Sequence, residues 1–221
     1  ELESPVLTEQ AFLQGFTNER TSEGNIRFQK NAPGFWILQK LREEWAKRGE
    51  PSSFEFERTA FYKAEQFTTL INPNAENFFN PESMEVAIEA YCRQTEQTIP
   101  ITKGQFIHCV TESIALYYTH TIQELESITN CTASEIYIGG GGAQNEILCQ
   151  LLANATQKII KAGPIEASSI GNGLSQLRAL NEISSIQQGR EIVKASFELN
   201  VFEPMDSNEW QEKNRKFAEI I

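Results

Sequence analysis

Four consecutive glycines, Gly139 to Gly142, stand between the apolar run Ile136-Tyr137-Ile138 and a stretch where Ile147, Leu148, Leu151, Leu152 and Ala155 recur at helical spacing. The hydrophobic period changes across the glycines, so the segment reads as buried strand, tight turn and helix. Glycines at such a handover let backbone approach a ligand closely, and the N–H groups of the following helix point at it. Two nucleotide loops are excluded by spacing. Asn145 stands three beyond Gly142 and Gln144 three beyond Gly141, where the dinucleotide fingerprint needs glycine, and no Gly-Lys-Ser or Gly-Lys-Thr follows as in a Walker loop. Taken alone, the turn fits tight packing as well as a bound nucleotide.

Residues 158–162 read as a second strand, Gly163-Pro164 as a turn, and residues 167–180 as a helix with Ile170, Leu174, Leu177 and Leu180 inward. Strands alternating with helices predict an α/β fold with parallel pairing and right-handed crossovers. The middle of the chain is helix-rich. Phe35, Leu38, Leu41 and Trp45 mark one helix that stops at Gly49; residues 59–68 form a second; Asn80-Pro81 opens a third that runs to about Thr95. Thr102 caps a long helix whose face carries Phe106, Val110, Ile114, Tyr117, Tyr118, Ile122 and Leu125 as far as Asn130. Before these, residues 1–23 show weak periodicity and are expected to be irregular or partly extended, a turn falls at Glu23-Gly24-Asn25, and Ile26 and Phe28 alternate as a short strand. A helix over residues 207–220 closes the chain.

Composition narrows the function classes. A net charge of -11 with pI near 4.8 would repel a phosphate backbone, so no nucleic-acid partner is expected. The apolar runs are too short to span a bilayer and no basic, apolar leader is seen, which predicts no membrane association and a cytoplasmic location. The cysteines, Cys92, Cys109, Cys131 and Cys149, have no C-x-x-C spacing, so no zinc site is expected and most should be reduced core thiols; Cys92 and Cys109 could approach each other if their helices form a hairpin. His108 and His120 lie about 120° apart around one helix and do not make a metal pair. Glu112 and Glu166 read as exposed helix glutamates, and Trp36, Trp45 and Trp210 as core residues. The single aspartate, Asp206, sits in a turn before the final helix, which leaves no residue to assign as catalytic.

A second motif settles the ambiguity of the first. Gly140 to Asn145, of form G-G-G-x-Q-N, is followed by Gly163-Pro164-Ile165-Glu166-Ala167-Ser168-Ser169-Ile170-Gly171-Asn172, and the pair resembles the C-terminal domain of FGGY carbohydrate kinases. Phe16-Thr17-Asn18-Glu19, Arg27-Phe28-Gln29-Lys30-Asn31 with Gly34-Phe35-Trp36-Ile37-Leu38-Gln39, and Ile71-Asn72-Pro73-Asn74 with Phe79-Asn80-Pro81 agree in the same order. The wording of the second motif is similar to the branch that acts on L-rhamnulose. The resemblance implies an actin-like, ribonuclease-H-like domain over residues 1–221 with a helix-rich middle insertion, closing on an N-terminal kinase domain that this chain lacks. It implies ATP with Mg2+ as the phosphoryl donor, Gly141, Gly142, Asn145 and Gln39 on the nucleotide, and Asn31 near the sugar. Read from the residues alone, Asn31 is equally a helix cap and Gln39 a polar residue on a helix face. Other ketoses, such as L-fuculose or a xylulose, and a non-catalytic actin-like nucleotide binder are the alternatives. Arg20 and Thr21 stand where two glycines are usual, so the loop there should be reshaped. The proton-accepting aspartate and both phosphate hairpins of such kinases are absent, which predicts that the fragment alone transfers no phosphate.

Overall fold

A computed structural model describes residues 1–205 and 207–221; the side chain of Ser207 and the whole of Asp206, including the turn expected there, lie outside the described residues. The helices are α1 Glu9–Leu13, α2 Trp36–Lys47, α3 Phe54–Lys63, α4 Met84–Gln94, α5 Lys103–Thr129, α6 Glu146–Thr156, α7 Ala167–Ala179, α8 Ile186–Ser196 and α9 Ser207–Phe217. The strands are β1 Phe16–Arg20, β2 Ile26–Lys30, β3 Glu135–Ile138, β4 Ile159–Ala162 and β5 Asn200–Phe202. They form two compact units, the first of residues Glu1–Thr132 with Gln211–Ile221 and the second of residues Ala133–Trp210.

In the first unit, β1 and β2 make an antiparallel hairpin in register from Phe16 opposite Lys30 to Arg20 opposite Ile26. Arg20 therefore belongs to the ladder, and the loop is closed by Thr21 N–H donating to Asn25 O at 2.8 Å. The lead-in expected to be irregular or partly extended holds β1, its extended part, and also α1, capped by Thr8 Oγ1, which was not expected. Its apolar residues were too few to show a period, yet Phe16 stacks on Phe28 at 4.9 Å and Ala11 closes that small cluster.

The main core of this unit lies between α2, α4 and α5. Thr102 caps α5 through a full capping box with Gln105, and Asn130 ends it in the left-handed conformation, both where the sequence places them. Two helix starts differ. The third helix begins at Met84, not after Asn80-Pro81, because Ser83 Oγ accepts from Val86 N–H and the Glu44 carboxylate of α2 accepts from Met84 N–H. The second is shifted to Phe54–Lys63, capped by Ser53, and Phe67 leaves it with φ of 53°. Asn31 caps nothing, since α2 starts at Trp36 with no side-chain cap and Pro33 and Gly34 intervene. Cys92 and Cys109 are both buried and free.

Glu112 is not an exposed glutamate. Along residues 106–117, α5 is buried all round, so its polar residues are interior and hydrogen-bonded. Trp45 is a core residue, and its Nε1–H donates to Glu85 at 2.6 Å. Trp36, in contrast, is 42% exposed with Lys40 over its ring at 4.5 Å.

In the second unit, β3 and β4 pair in parallel from Glu135 opposite Ile159 to Ile138 opposite Ala162, with α6 as the crossover. β5 adds to the other edge of β4 in antiparallel sense. β5 is not signalled by the sequence, because Val201 is exposed, whereas α8 is announced only by its cap, Ser185 Oγ accepting from Gln188 N–H, since it buries only Gly189. The expected inward face of α7 is not buried: Leu177 and Leu180 are exposed, and the helix engages its neighbours mainly through Ala167 beside Gly139 and Leu174 beside Gly189.

One ion-pair network gives the first unit a pH dependence. Arg48 binds Glu85 at 2.7 Å and Glu50 at 2.8 Å, and Lys103 reaches Glu50 at 3.0 Å. Arg48, then Lys103, holds the Glu50 carboxyl down to about 2 from its ordinary 4.5, and Arg48 likewise lowers Glu85. A carboxyl lowered on folding takes up protons on unfolding, so its stabilisation is present above pH 4.5 and lost as pH falls toward 2. The urea midpoint should therefore fall over that window, and more shallowly in Glu50→Gln.

Candidate functional site

The turn after β3 is built by two glycines with different tasks. Gly140 has φ of 71°, which side chains rarely adopt, and a Cβ on Gly139 would lie 3.0 Å from the Ala167 Cβ. That approach joins the two sequence motifs. Gly140 N–H donates to Pro164 O at 3.2 Å and Gly163 N–H to Ile138 O at 2.8 Å, so the turns after β3 and β4 are stitched together at the C-terminal ends of the parallel strands. Ligands of α/β sheets settle at such ends.

Residues Gly140–Gln144 form a short 3-10 turn, and Asn145 caps α6, its Oδ1 accepting from Leu148 N–H at 3.0 Å. Its side-chain nitrogen makes no hydrogen bond among the described residues. Gly141 is exposed, with no atom within 4 Å of where a Cβ would stand. Gly141, Gly142 and Asn145 are thus gathered on one turn, with open space beside it.

A cleft of about 480 Å3 opens beside the turn, walled by Ala143, Pro164, Ile165 and Phe197, with Gln144 and Asn200 as neutral polar groups. Gly141, Gly142 and Asn145 do not line it; their neighbours Ala143, Gln144 and Glu146 do. Glu146, Glu166 and Glu198 also face it, and among the described residues no lysine or arginine does. Such a lining offers an apolar slot with hydrogen-bonding groups and no counter-charge for a polyphosphate. Sequence reasoning missed Phe197, Glu198 and Asn200, since they follow a helix and open a strand that the pattern does not show.

Asn31 and Gln39 belong to the first unit. Asn31 follows the last residue of β2, is exposed, and makes no side-chain hydrogen bond among the described residues. Gln39 is exposed on α2 on the face that carries Trp36 and Lys40, three residues before and one after it. The exposed Trp36 could have signalled that face.

The first unit also holds a buried acid–histidine couple. Glu112 Oε1 meets His108 Nδ1 at 2.8 Å, Glu112 Oε2 accepts from Phe67 N–H at 2.9 Å, and His108 Nε2 meets Phe61 O at 2.7 Å. A carbonyl only accepts, so Nε2 carries the proton. Burial pushes the Glu112 carboxyl up, opposed by His108. The couple fixes the loop at Phe67 through that N–H. His120 is apart from it, 3.4 Å from Glu124. Among the described residues no three His, Cys, Asp or Glu side chains are placed to hold a metal ion, and no helix is long and apolar enough to cross a membrane.

A family model, the C-terminal domain of the FGGY family of carbohydrate kinases, matches residues 1–180. The chain belongs to that family. It is 39% identical over 208 residues to a rhamnulokinase of Bacillus subtilis strain 168, covering 93% of this chain and 42% of the relative. It is 35% identical over 210 residues to a rhamnulokinase of Bacteroides thetaiotaomicron, covering 95% and 42%. This FGGY domain thus spans about two fifths of the length of the curated relatives it matches. Among solved structures, a ligand-bound xylulose kinase from Lactobacillus acidophilus superposes with TM-score 0.70 at 13% identity, over 99% of this chain and 43% of that one. That likeness gives the fold as the actin-like, ribonuclease-H-like α/β type.

Proposed function

We propose that both units together are the nucleotide-gripping C-terminal domain of an ATP-dependent kinase that converts L-rhamnulose to L-rhamnulose 1-phosphate. The observation that carries this reading is the identity to rhamnulokinases over more than nine tenths of the chain. The glycine turn supports it chemically. Open backbone at Gly141, with Gly142 next to it packed on Ile138, receives the adenosine and phosphates, and Asn145, its oxygen committed to the α6 cap, offers its amide N–H to the base. Gln39 is assigned to the nucleotide and Asn31 to the ketose.

The acidic cleft has a consequence for the phosphates. With three glutamates and no cation lining it, their charge must be neutralised by the metal that accompanies ATP and by groups of an N-terminal kinase domain. The described residues do not form an Mg2+ site, so the ion is assigned no step here. In the complete kinase an aspartate of the other domain takes the proton of the ketose's terminal hydroxyl. The oxygen then attacks the γ-phosphorus and ADP leaves.

The test is ATP-dependent phosphorylation of L-rhamnulose by this chain alone and after addition of an N-terminal kinase half. No turnover alone and turnover on mixing are expected. Gly141→Val should then raise the KM for ATP more than about tenfold, a loss of about 1.4 kcal/mol or more of binding, while leaving the thermal midpoint unchanged because the space above Gly141 is open. Turnover by the chain alone, turnover of L-fuculose or xylulose in place of L-rhamnulose, or an unchanged KM in Gly141→Val would each overturn the part it addresses.

A further inference from the structure

The loop that carries Asn31 is held from both ends by one helix. Upstream, Lys30 is the last paired residue of β2, and its Nζ meets Glu124 Oε2 of α5 at 2.6 Å, with both side chains more than four fifths buried. Downstream, Tyr118 Oη of α5 donates to Pro33 O at 2.8 Å. Between the anchors the chain is stiff. Proline fixes its own φ, and Ala32, preceding it, is confined to extended conformations. Pinning the Pro33 carbonyl therefore fixes Asn31 two residues away. No side-chain cap at the start of α2 shares this task. Asn31 itself is exposed, and its carboxamide makes no hydrogen bond among the described residues. The clamped loop thus presets where the Asn31 backbone stands, and its carboxamide is left open to a ligand.

We propose that Tyr118 is a positioning residue for sugar binding, acting through the Pro33 carbonyl to set the Asn31 carboxamide, with the Glu124–Lys30 pair as the second anchor. This rests on the assignment of Asn31 to the ketose. Tyr118 touches no substrate. Its hydroxyl acts on where Asn31 stands, and so on the affinity for the ketose, not on the nucleotide.

The experiment is a double-mutant cycle in the complete kinase, measuring KM for L-rhamnulose and for ATP in Tyr118→Phe, Asn31→Ala and the double variant. Tyr118→Phe keeps the ring and removes one neutral hydrogen bond, so KM for L-rhamnulose should rise about 3- to 10-fold, with KM for ATP unchanged and the thermal midpoint lowered by no more than about 2–6 °C. In the Asn31→Ala background the second substitution should add nothing, because its effect passes through Asn31. If Asn31→Ala does not raise the KM for L-rhamnulose, the assignment of Asn31 falls and this inference with it. If Asn31→Ala raises it and Tyr118→Phe does not, the inference alone is overturned. An effect of Tyr118→Phe that persists in the double variant, or that moves both KM values together, makes the hydroxyl merely structural and overturns it as well.

Discussion

Replacing Gly104 with valine should destabilise the first unit by about 3 kcal/mol or more, an overpacking penalty at or beyond the usual upper end. Gly104 lies in the first turn of α5, where α3 crosses it. A Cβ there would stand 2.5 Å from the Ala60 carbonyl oxygen and 2.8 Å from the Ala64 Cβ. Ala60 presents backbone, which cannot swing aside as a side chain can, so the two helices must separate. Thermal unfolding is the measurement. For a chain of this size the expected loss is roughly 6–12 °C, confined to the transition of that unit. Gly104→Ala should show a smaller loss of the same sign. An unchanged midpoint in both variants would mean that the crossing is looser than the structure has it.

Glu112→Ala should also be costly, about 2–6 kcal/mol, since truncation leaves two buried partners, the Phe67 N–H and the His108 ring, each without its bond at about 1–3 kcal/mol. It removes the group that meets His108 Nδ1 and accepts the Phe67 N–H, and Glu112 is 0% exposed. Glu112→Gln separates charge from hydrogen bonding. With Nε2 of His108 donating to Phe61 O, a neutral ring presents a bare Nδ1, to which glutamine can donate while its oxygen still accepts from Phe67. Glu112→Gln should therefore lose less than about 1 kcal/mol if the couple is a neutral acid beside a neutral imidazole. Urea unfolding of the three proteins decides it. Equal losses in the two variants would identify an ion pair instead.

What the sequence made legible follows from where the physics is local. The Thr102–Gln105 capping box, the glycine turn after Ile138 and the parallel pairing of β3 with β4 are set by neighbours within a few residues or by an unbroken apolar run. Glu112 was misread because helical periodicity assigns polar residues to solvent, while α5 is enclosed on every side. The start of α4 was misread because its second cap comes from Glu44, which is 40 residues away. β5 was invisible because it buries almost nothing of its own, and α8 left only its Ser185–Gln188 cap as a signal. In the site, Gly141, Gly142 and Asn145 were legible as a motif, and the structure gathers them on one turn. The cleft walls at Phe197 and Asn200 were not, since the backbone path through β5 brings them there. Tyr118 looked like one more apolar position of a long helix, and the distant loop of Pro33 gives its hydroxyl a purpose.

The chain leaves its first unit after Thr132 and returns at Gln211, where α9 sets Lys213 Nζ 5.0 Å from the Phe67 ring and buries Phe217. During synthesis this order has a temporal meaning. Residues 133–210 are contiguous and can fold as soon as they clear the ribosome. The larger unit, begun first, must wait for the stretch made after them before its core is covered. The earliest-made helices thus spend the longest time with an open flank, and a chain that stalls before α9 would expose Phe67 and its surroundings to chaperones or to other nascent chains.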